Sequence, residues 1–230
     1  TYVSLIKACG TIADIEKGRE LHKDVCEKGL SNAFIASALV SMYGKCGAIL
    51  EAECVFNGMY HRNIVSWTAM LSVYADQGLA EKALQLYRQM QEEGINMDQY
   101  ALVIALQACG TLAETHECIN SQECLTSVVA GDIGHALHSD ARRKGYTFHS
   151  HVCNSLISMY GKCMNVDSAR WVFDDMNRRD LVLWNAMIAV YAQHGLGKDA
   201  LDAFHRMQEE REKPDTITFT SIFNACSRSG

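Results

Sequence analysis

An all-α solenoid of tandem two-helix repeats is predicted by three observations: segments that return at a fixed offset, helical periodicity inside each segment, and a single proline among 230 residues. The run Ser37-Ala38-Leu39-Val40-Ser41-Met42-Tyr43-Gly44-Lys45-Cys46 returns as Asn154-Ser155-Leu156-Ile157-Ser158-Met159-Tyr160-Gly161-Lys162-Cys163, 117 positions later. The same offset carries Val65-Ser66-Trp67-Thr68-Ala69-Met70-Leu71 onto Val182-Leu183-Trp184-Asn185-Ala186-Met187-Ile188, and Ala108-Cys109 onto Ala225-Cys226. A further series, Leu5 to Thr11, matches Ala105 to Thr111 at an offset of 100, so the second cycle carries extra residues. Ala13 and Ala113 lie 100 apart whereas Gly18 and Gly134 lie 116 apart, which places about 16 inserted residues near 114–129.

The chain divides accordingly into units 1–32, 33–63, 64–98, 99–149 with the insertion, 150–180, 181–215 and the opening half-unit 216–230, beginning inside one helix and ending after half a repeat. Each reads as helix, turn, helix. In unit 64–98 the apolar residues Trp67, Met70, Leu71 and Tyr74 share one face, and after Gly78 the residues Ala83, Leu84, Tyr87 and Met90 share another. Glycines 47, 78, 94, 145 and 195 stand where the periodicity breaks, as residues that tolerate positive φ do at helix ends. One such hairpin cannot bury its apolar face alone, so neighbours stack and leave a long concave surface. The insertion is expected as an exposed excursion between the two helices of its repeat, with a short turn over Leu125–Ala130.

With 48% hydrophobic residues and a mean hydropathy of -0.08, the chain has the material for a core and the composition of a globular domain. No stretch approaches 18 consecutive apolar residues, and Thr1-Tyr2-Val3-Ser4 does not open a secretion signal, so no membrane partner is expected. Half of the ten cysteines recur at equivalent repeat positions (Cys9, Cys109 and Cys226; Cys46 and Cys163), which suits small, reduced residues at close helix contacts. His116, Cys118 and Cys124, with His135 and His138 beyond, have zinc-binding side chains but no finger spacing, so no metal or other cofactor is expected. Glu92-Glu93 and Glu209-Glu210 close second helices on the solvated side. No nucleophile elbow, phosphate-cradling loop or metalloprotease motif is present, and neither an enzyme nor a small-molecule substrate is expected. The net charge of -6 argues against binding dominated by phosphate contacts.

The junction Met207-Gln208-Glu209-Glu210 through Lys213-Pro214-Asp215, followed by Ile217-Thr218-Phe219-Thr220, resembles that of pentatricopeptide repeats, which hold RNA one base per repeat. Residues 90–98 echo it with Met97 in place of the proline. The alternation of 31-residue, 35-residue and variable units resembles the short, standard and long motifs of the PLS subclass in that family. A tetratricopeptide scaffold that docks a peptide or partner helix is the competing reading, but the glycine of its Trp-x-x-Leu-Gly-x-x-Tyr pattern is missing after Trp67 and Trp184.

The resemblance implies a right-handed α-solenoid in which the fifth and last residues of a repeat read one base and the second residue packs against base faces. Residues two and five lie three apart on the opening turn of a helix, so they project to one side. Carried onto this chain, the reading pairs are Ser37 with Asn63, Thr68 with Asp98, Asn154 with Asp180, and Asn185 with Asp215, with Thr220 in the half-unit. The base-packing residues are Phe34, Val65, His151, Val182 and Ile217. Val3 and Val103 make the long units silent. The implied partner is single-stranded RNA carrying 5′-A-G-N-U-U-3′, in a mitochondrion or plastid, together with editing or processing proteins, any catalytic domain lying outside this stretch. Tyr43, Tyr160, Trp67 and Trp184 recur at apolar helical positions and are expected to pack between helices.

Overall fold

A computed structural model describes residues 2–30, 32–116 and 123–229, which are helical with no strand among them. The chain falls into two compact units, Thr1–Ala108 and Cys109–Gly230. The first holds α1 (Tyr2–Ile12), α2 (Ile15–Glu27), α3 (Ala33–Lys45), α4 (Ile49–Asn57), α5 (Ile64–Asp76), α6 (Ala80–Glu92) and the opening turns of α7 (Gln99–His116). The second holds the end of α7, then α8 (Glu123–Arg143), α9 (Ser150–Lys162), α10 (Val166–Asp174), α11 (Leu181–Gln193), α12 (Gly197–Glu209) and α13 (Thr216–Ser229), with a 3₁₀ turn at Tyr146–Phe148 before α9. Within the first unit α1, α3 and α5 pack in a row and the even-numbered helices cover them; within the second, α9, α11 and α13 form the row.

Local chemistry sets the helix boundaries. Asn32, Asn63, Asp98, Asp180 and Asp215 each stand just before an odd-numbered helix, and each side-chain oxygen accepts a backbone N–H of the first turn, those of Ile35, Ser66, Ala101, Leu183 and Thr218 respectively, at 2.9–3.0 Å. At the other ends, Gly47, Gly78, Gly94, Gly145 and Gly195 all take positive φ. Met164 and Arg211 occupy the places of Gly47 and Gly94 in the second cycle and take the same left-handed conformation, at φ 58° and 63°.

The core repeats as the sequence does. Trp67 and Trp184 are fully buried, each edge-on to a phenylalanine of the preceding helix, Phe56 at 5.1 Å and Phe173 at 4.8 Å between ring centroids. Arg62 and Arg179 lie over those phenylalanines and donate at 3.1 Å to the Phe56 and Phe173 carbonyls, closing the C-terminal ends of α4 and α10 with a cation. Tyr43 and Tyr160 are buried as well, their hydroxyls 2.9 Å from Nδ1 of His22 and His138. Gly44 and Gly161 are required by close approach: a Cβ at either would overlap Val73 or Val190 of the next odd-numbered helix.

Two expectations need correction. The described part of the insertion is not a loop excursion: α7 runs on to His116 and α8 begins at Glu123. Leu125–Ala130 is therefore the opening of a long helix, anchored where buried Ala130 accepts a hydrogen bond from the Cys109 thiol at 3.1 Å. Cys118 of the zinc-type cluster, with the side chains of His116 and Cys124, lies outside the described residues; His135 and His138 instead share the Tyr160 hydroxyl. Cys9, Cys109 and Cys163 are buried and Cys46 half-buried, but Cys226 is exposed, on a helix that packs against α11 and α12.

Candidate nucleic-acid interface

In the first unit, the odd-numbered helices enclose an open groove of about 670 Å³. It gathers the second residues Phe34 and Val65, the fifth residues Ser37 and Thr68, the last residue Asp98, and Val3 and Val103 of the long units. Phe34 is 72% exposed although apolar, and Val65 is exposed too, so the groove presents apolar side chains to solvent. The Thr68 hydroxyl oxygen faces no solvent and has no hydrogen-bond partner, so a buried polar atom stands unsatisfied beside the groove. Asn63 lies outside the groove lining, its side-chain oxygen taken by Ser66 N–H. The Ser37 hydroxyl donates to the Ala33 carbonyl of its own helix at 2.7 Å, leaving only acceptor capacity free.

Two groups in this groove escaped the sequence reading. Tyr100 is 71% exposed and lines it from α7. The signal was available, since Tyr100 is the second residue of unit 99–149, but the valine at position five had made that unit look silent. Lys7 and Lys45 also line it, as do Asp76 and Asp98, so the groove is locally balanced in charge although the chain carries -6.

In the second unit, Asn185 and Asp215 meet directly: the amide Nδ2 donates to the Asp215 carboxylate at 3.1 Å. The Thr218 hydroxyl, wholly buried, lies 2.6 Å from the Asn185 amide oxygen, 3.0 Å from the Asp215 carboxylate, and accepts from Asp215 N–H at 3.1 Å. The Thr218 N–H above all, then its hydroxyl and the Asn185 amide, hold the Asp215 carboxyl below the usual range, so it stays ionised. Asn154 and Asp180 have the same residue types without that contact: Asp180 accepts from the Ser150 hydroxyl at 2.7 Å. Val182 and Ile217 are exposed apolar residues like their counterparts in the first unit. His151 is exposed, its ring 5.7 Å from that of His149. Thr220 is exposed and donates to the Thr216 carbonyl at 2.7 Å. Among the described residues, no helix is long and apolar enough to cross a membrane.

Comparison with known proteins places the chain. The model of the PPR repeat family matches residues 62–111 and 179–228, and that of the PPR repeat matches 34–64 and 151–181. A putative pentatricopeptide repeat-containing protein of Arabidopsis thaliana is 35% identical over 99% of this chain and 28% of its own length. The pentatricopeptide repeat-containing protein CRR2, chloroplastic, of the same plant is 35% identical over all of this chain and 34% of its own length. The chain thus spans about a third of the curated relatives it matches. The maize pentatricopeptide repeat protein PPR10, solved alone and with an 18-nt psaJ RNA element, overlays with a TM-score of 0.47 at 19–20% identity, covering 93–94% of this chain and 34–36% of PPR10. With both repeat models falling on both cycles, the chain belongs to the pentatricopeptide repeat family.

Proposed function

We propose that this chain binds single-stranded RNA along the surface made by its odd-numbered helices, one base to each two-helix repeat. The observation that supports this most is the groove of the first unit, which gathers the exposed apolar residues Phe34, Val65 and Tyr100 with the polar residues Ser37, Thr68 and Asp98. Planar bases stack on such side chains irrespective of sequence, and the polar pairs then discriminate their edges. The residue pairs assign 5′-A-G-N-U-U-3′, read by Ser37 with Asn63, Thr68 with Asp98, Asn154 with Asp180, and Asn185 with Asp215, with Thr220 opening the next site. Phe34, Val65, His151, Val182 and Ile217 pack against base faces. Tyr100 adds a stacking surface for the unassigned base, so the long repeat engages RNA without reading it.

Alternation of short, standard and long repeats supports membership of the PLS subclass. Relatives named as chloroplastic and mitochondrial support an organellar site of action, where the tract positions a transcript for editing or processing by other proteins or by another part of the protein. Stacking and edge contacts, rather than phosphate neutralisation, supply the affinity, which reconciles binding with the acidic balance. Ultraviolet crosslinking to uridine-rich single-stranded RNA followed by mass spectrometry tests the assignment of the surface. Adducts are expected at Phe34 and Tyr100. Adducts confined to the even-numbered helices, or capture of peptides with no RNA adduct, would replace it with a protein-docking scaffold.

A further inference from the structure

We propose that Thr218 is a positioning residue for base recognition, fixing the Asn185 amide in one orientation so that repeat 181–215 discriminates bases more sharply than repeat 150–180. The inference rests on the RNA reading above for its functional consequence, and on hydrogen-bond geometry for its physical cause.

Asn185 and Asp215 form the same pair of residue types as Asn154 and Asp180, so a rule that reads only those two positions gives the two repeats one specificity. Their surroundings differ. The Thr218 hydroxyl has a single proton, and its short contact of 2.6 Å is to the Asn185 oxygen. Its lone pairs meanwhile accept from Asp215 N–H. The Asn185 NH₂ group donates to a carboxylate oxygen that also caps α13 through Thr218 N–H. Turning the amide over would set its oxygen against an ionised carboxylate, which disfavours that orientation, and the Thr218 hydroxyl, 3.0 Å from the same carboxylate but 2.6 Å from the amide oxygen, reinforces the observed one by donating to that oxygen. The locked amide keeps one N–H and one lone pair for a ligand, which suits a base edge presenting an acceptor beside a donor.

The corresponding residue after Asp180 is Leu183, fully buried and without a hydroxyl. The second carboxylate oxygen of Asp180 is taken by Ser150, and the Asn154 amide has no hydrogen-bond partner among the described residues. Nothing selects its orientation before a base arrives. Thr218 thus acts across the repeat boundary: it belongs to the half-unit that follows, yet governs the base read by the repeat before it.

Two measurements on this chain separate the physical claim from its consequence. Side-chain ¹⁵N relaxation of the free protein is expected to show a rigid Asn185 amide and a mobile Asn154 amide; Thr218→Val frees Asn185, and Thr218→Ser restores it. Equal mobility of the two amides overturns the positioning claim whether or not RNA binds. Fluorescence-anisotropy titrations with A-G-N-U-U RNA, and with either uridine changed to cytidine, read the consequence. Thr218→Val is expected to cut discrimination at the last base about fivefold and leave the fourth base unchanged, as for loss of one oriented hydrogen bond. Leu183→Thr is expected to raise discrimination at the fourth. Thr218→Val retains the N–H that caps α13, and Leu183→Thr tests the idea without touching that helix start. Undiminished discrimination in Thr218→Val overturns the proposal. Absence of binding by the unaltered chain refutes the RNA reading and the specificity role with it, while the relaxation result stands alone.

Discussion

Thr68, Asp98 and Ala101 in the first unit stand 117 positions before Asn185, Asp215 and Thr218 in the second, on helices with equivalent starts. In the first triad the Thr68 hydroxyl is unsatisfied and Ala101 offers it nothing; in the second, three side chains close a hydrogen-bonded ring. The scaffold beneath is nearly the same, with a buried tryptophan, an edge-on phenylalanine and an arginine over it in both cycles. The two cycles therefore differ in polar chemistry at a few positions on opening helical turns while holding the packing constant. An unsatisfied site awaits its ligand to complete its hydrogen bonds, and a satisfied one is organised beforehand.

That contrast can be broken at the scaffold first. Trp67→Ala and Trp184→Ala are each expected to cost about 3–5 kcal/mol of stability in denaturant unfolding. Costs differing by more than about 1 kcal/mol would mean that the packing also differs between cycles.

Acidification is expected to act next, at His138 of the second unit, whose first-unit counterpart His22 is lowered by burial as well. Burial pushes His138 down to about 4 from an ordinary value of 6.5. Between those values the unfolded chain binds a proton that the folded chain does not. The contribution of neutral His138 is therefore present above pH 6.5 and is lost as pH falls toward 4, by up to about 1.4 kcal/mol per pH unit. Denaturation midpoints across pH 4.5–7.5 should show that slope, and His138→Gln should flatten it.

At the recognition sites, Asp98→Ala removes a helix cap worth about 1 kcal/mol. Asp215→Ala removes a cap together with the acceptor of Asn185 and is expected to cost about 2 kcal/mol. Equal melting shifts in the two variants would show that the ring adds nothing to the cap. The smallest expected effect lies at the helix ends: Arg211→Gly should stabilise by about 0.5–1 kcal/mol, because the left-handed conformation strains arginine and not glycine, as Gly94 already illustrates.

The architecture was legible because the 117-residue offset, the apolar periodicity and the glycine punctuation all report on backbone and core, which one sequence displays directly. The buried tryptophans followed from the same signals, whereas Asn63, Asp98, Asp180 and Asp215 were read only as base-reading residues and not as the helix caps they also form. The described part of the insertion was misread because turn length was inferred from the change in repeat offset; the apolar run Leu125–Ala130 instead opens a helix whose buried Ala130 receives the Cys109 thiol. The candidate positions could be read from the sequence as a row on successive helices, but the hydrogen bonds between them could not. Ser37 is engaged within its own helix, and Thr218 reaches Asn185 across 33 residues, because rotamers and hydrogen-bond partners depend on packing between repeats rather than on residue type. Tyr100 was overlooked for a different reason, since one apolar reading residue had stood in for a whole repeat.

The most direct test of the account is a fluorescence-anisotropy titration of this chain against single-stranded RNA containing A-G-N-U-U and against the same RNA with both uridines changed to adenines. The account predicts several-fold tighter binding of the first, with the difference erased by Asn154→Ala combined with Asn185→Ala. Equal binding of both RNAs, or no binding of either at low salt, would contradict base reading by this surface.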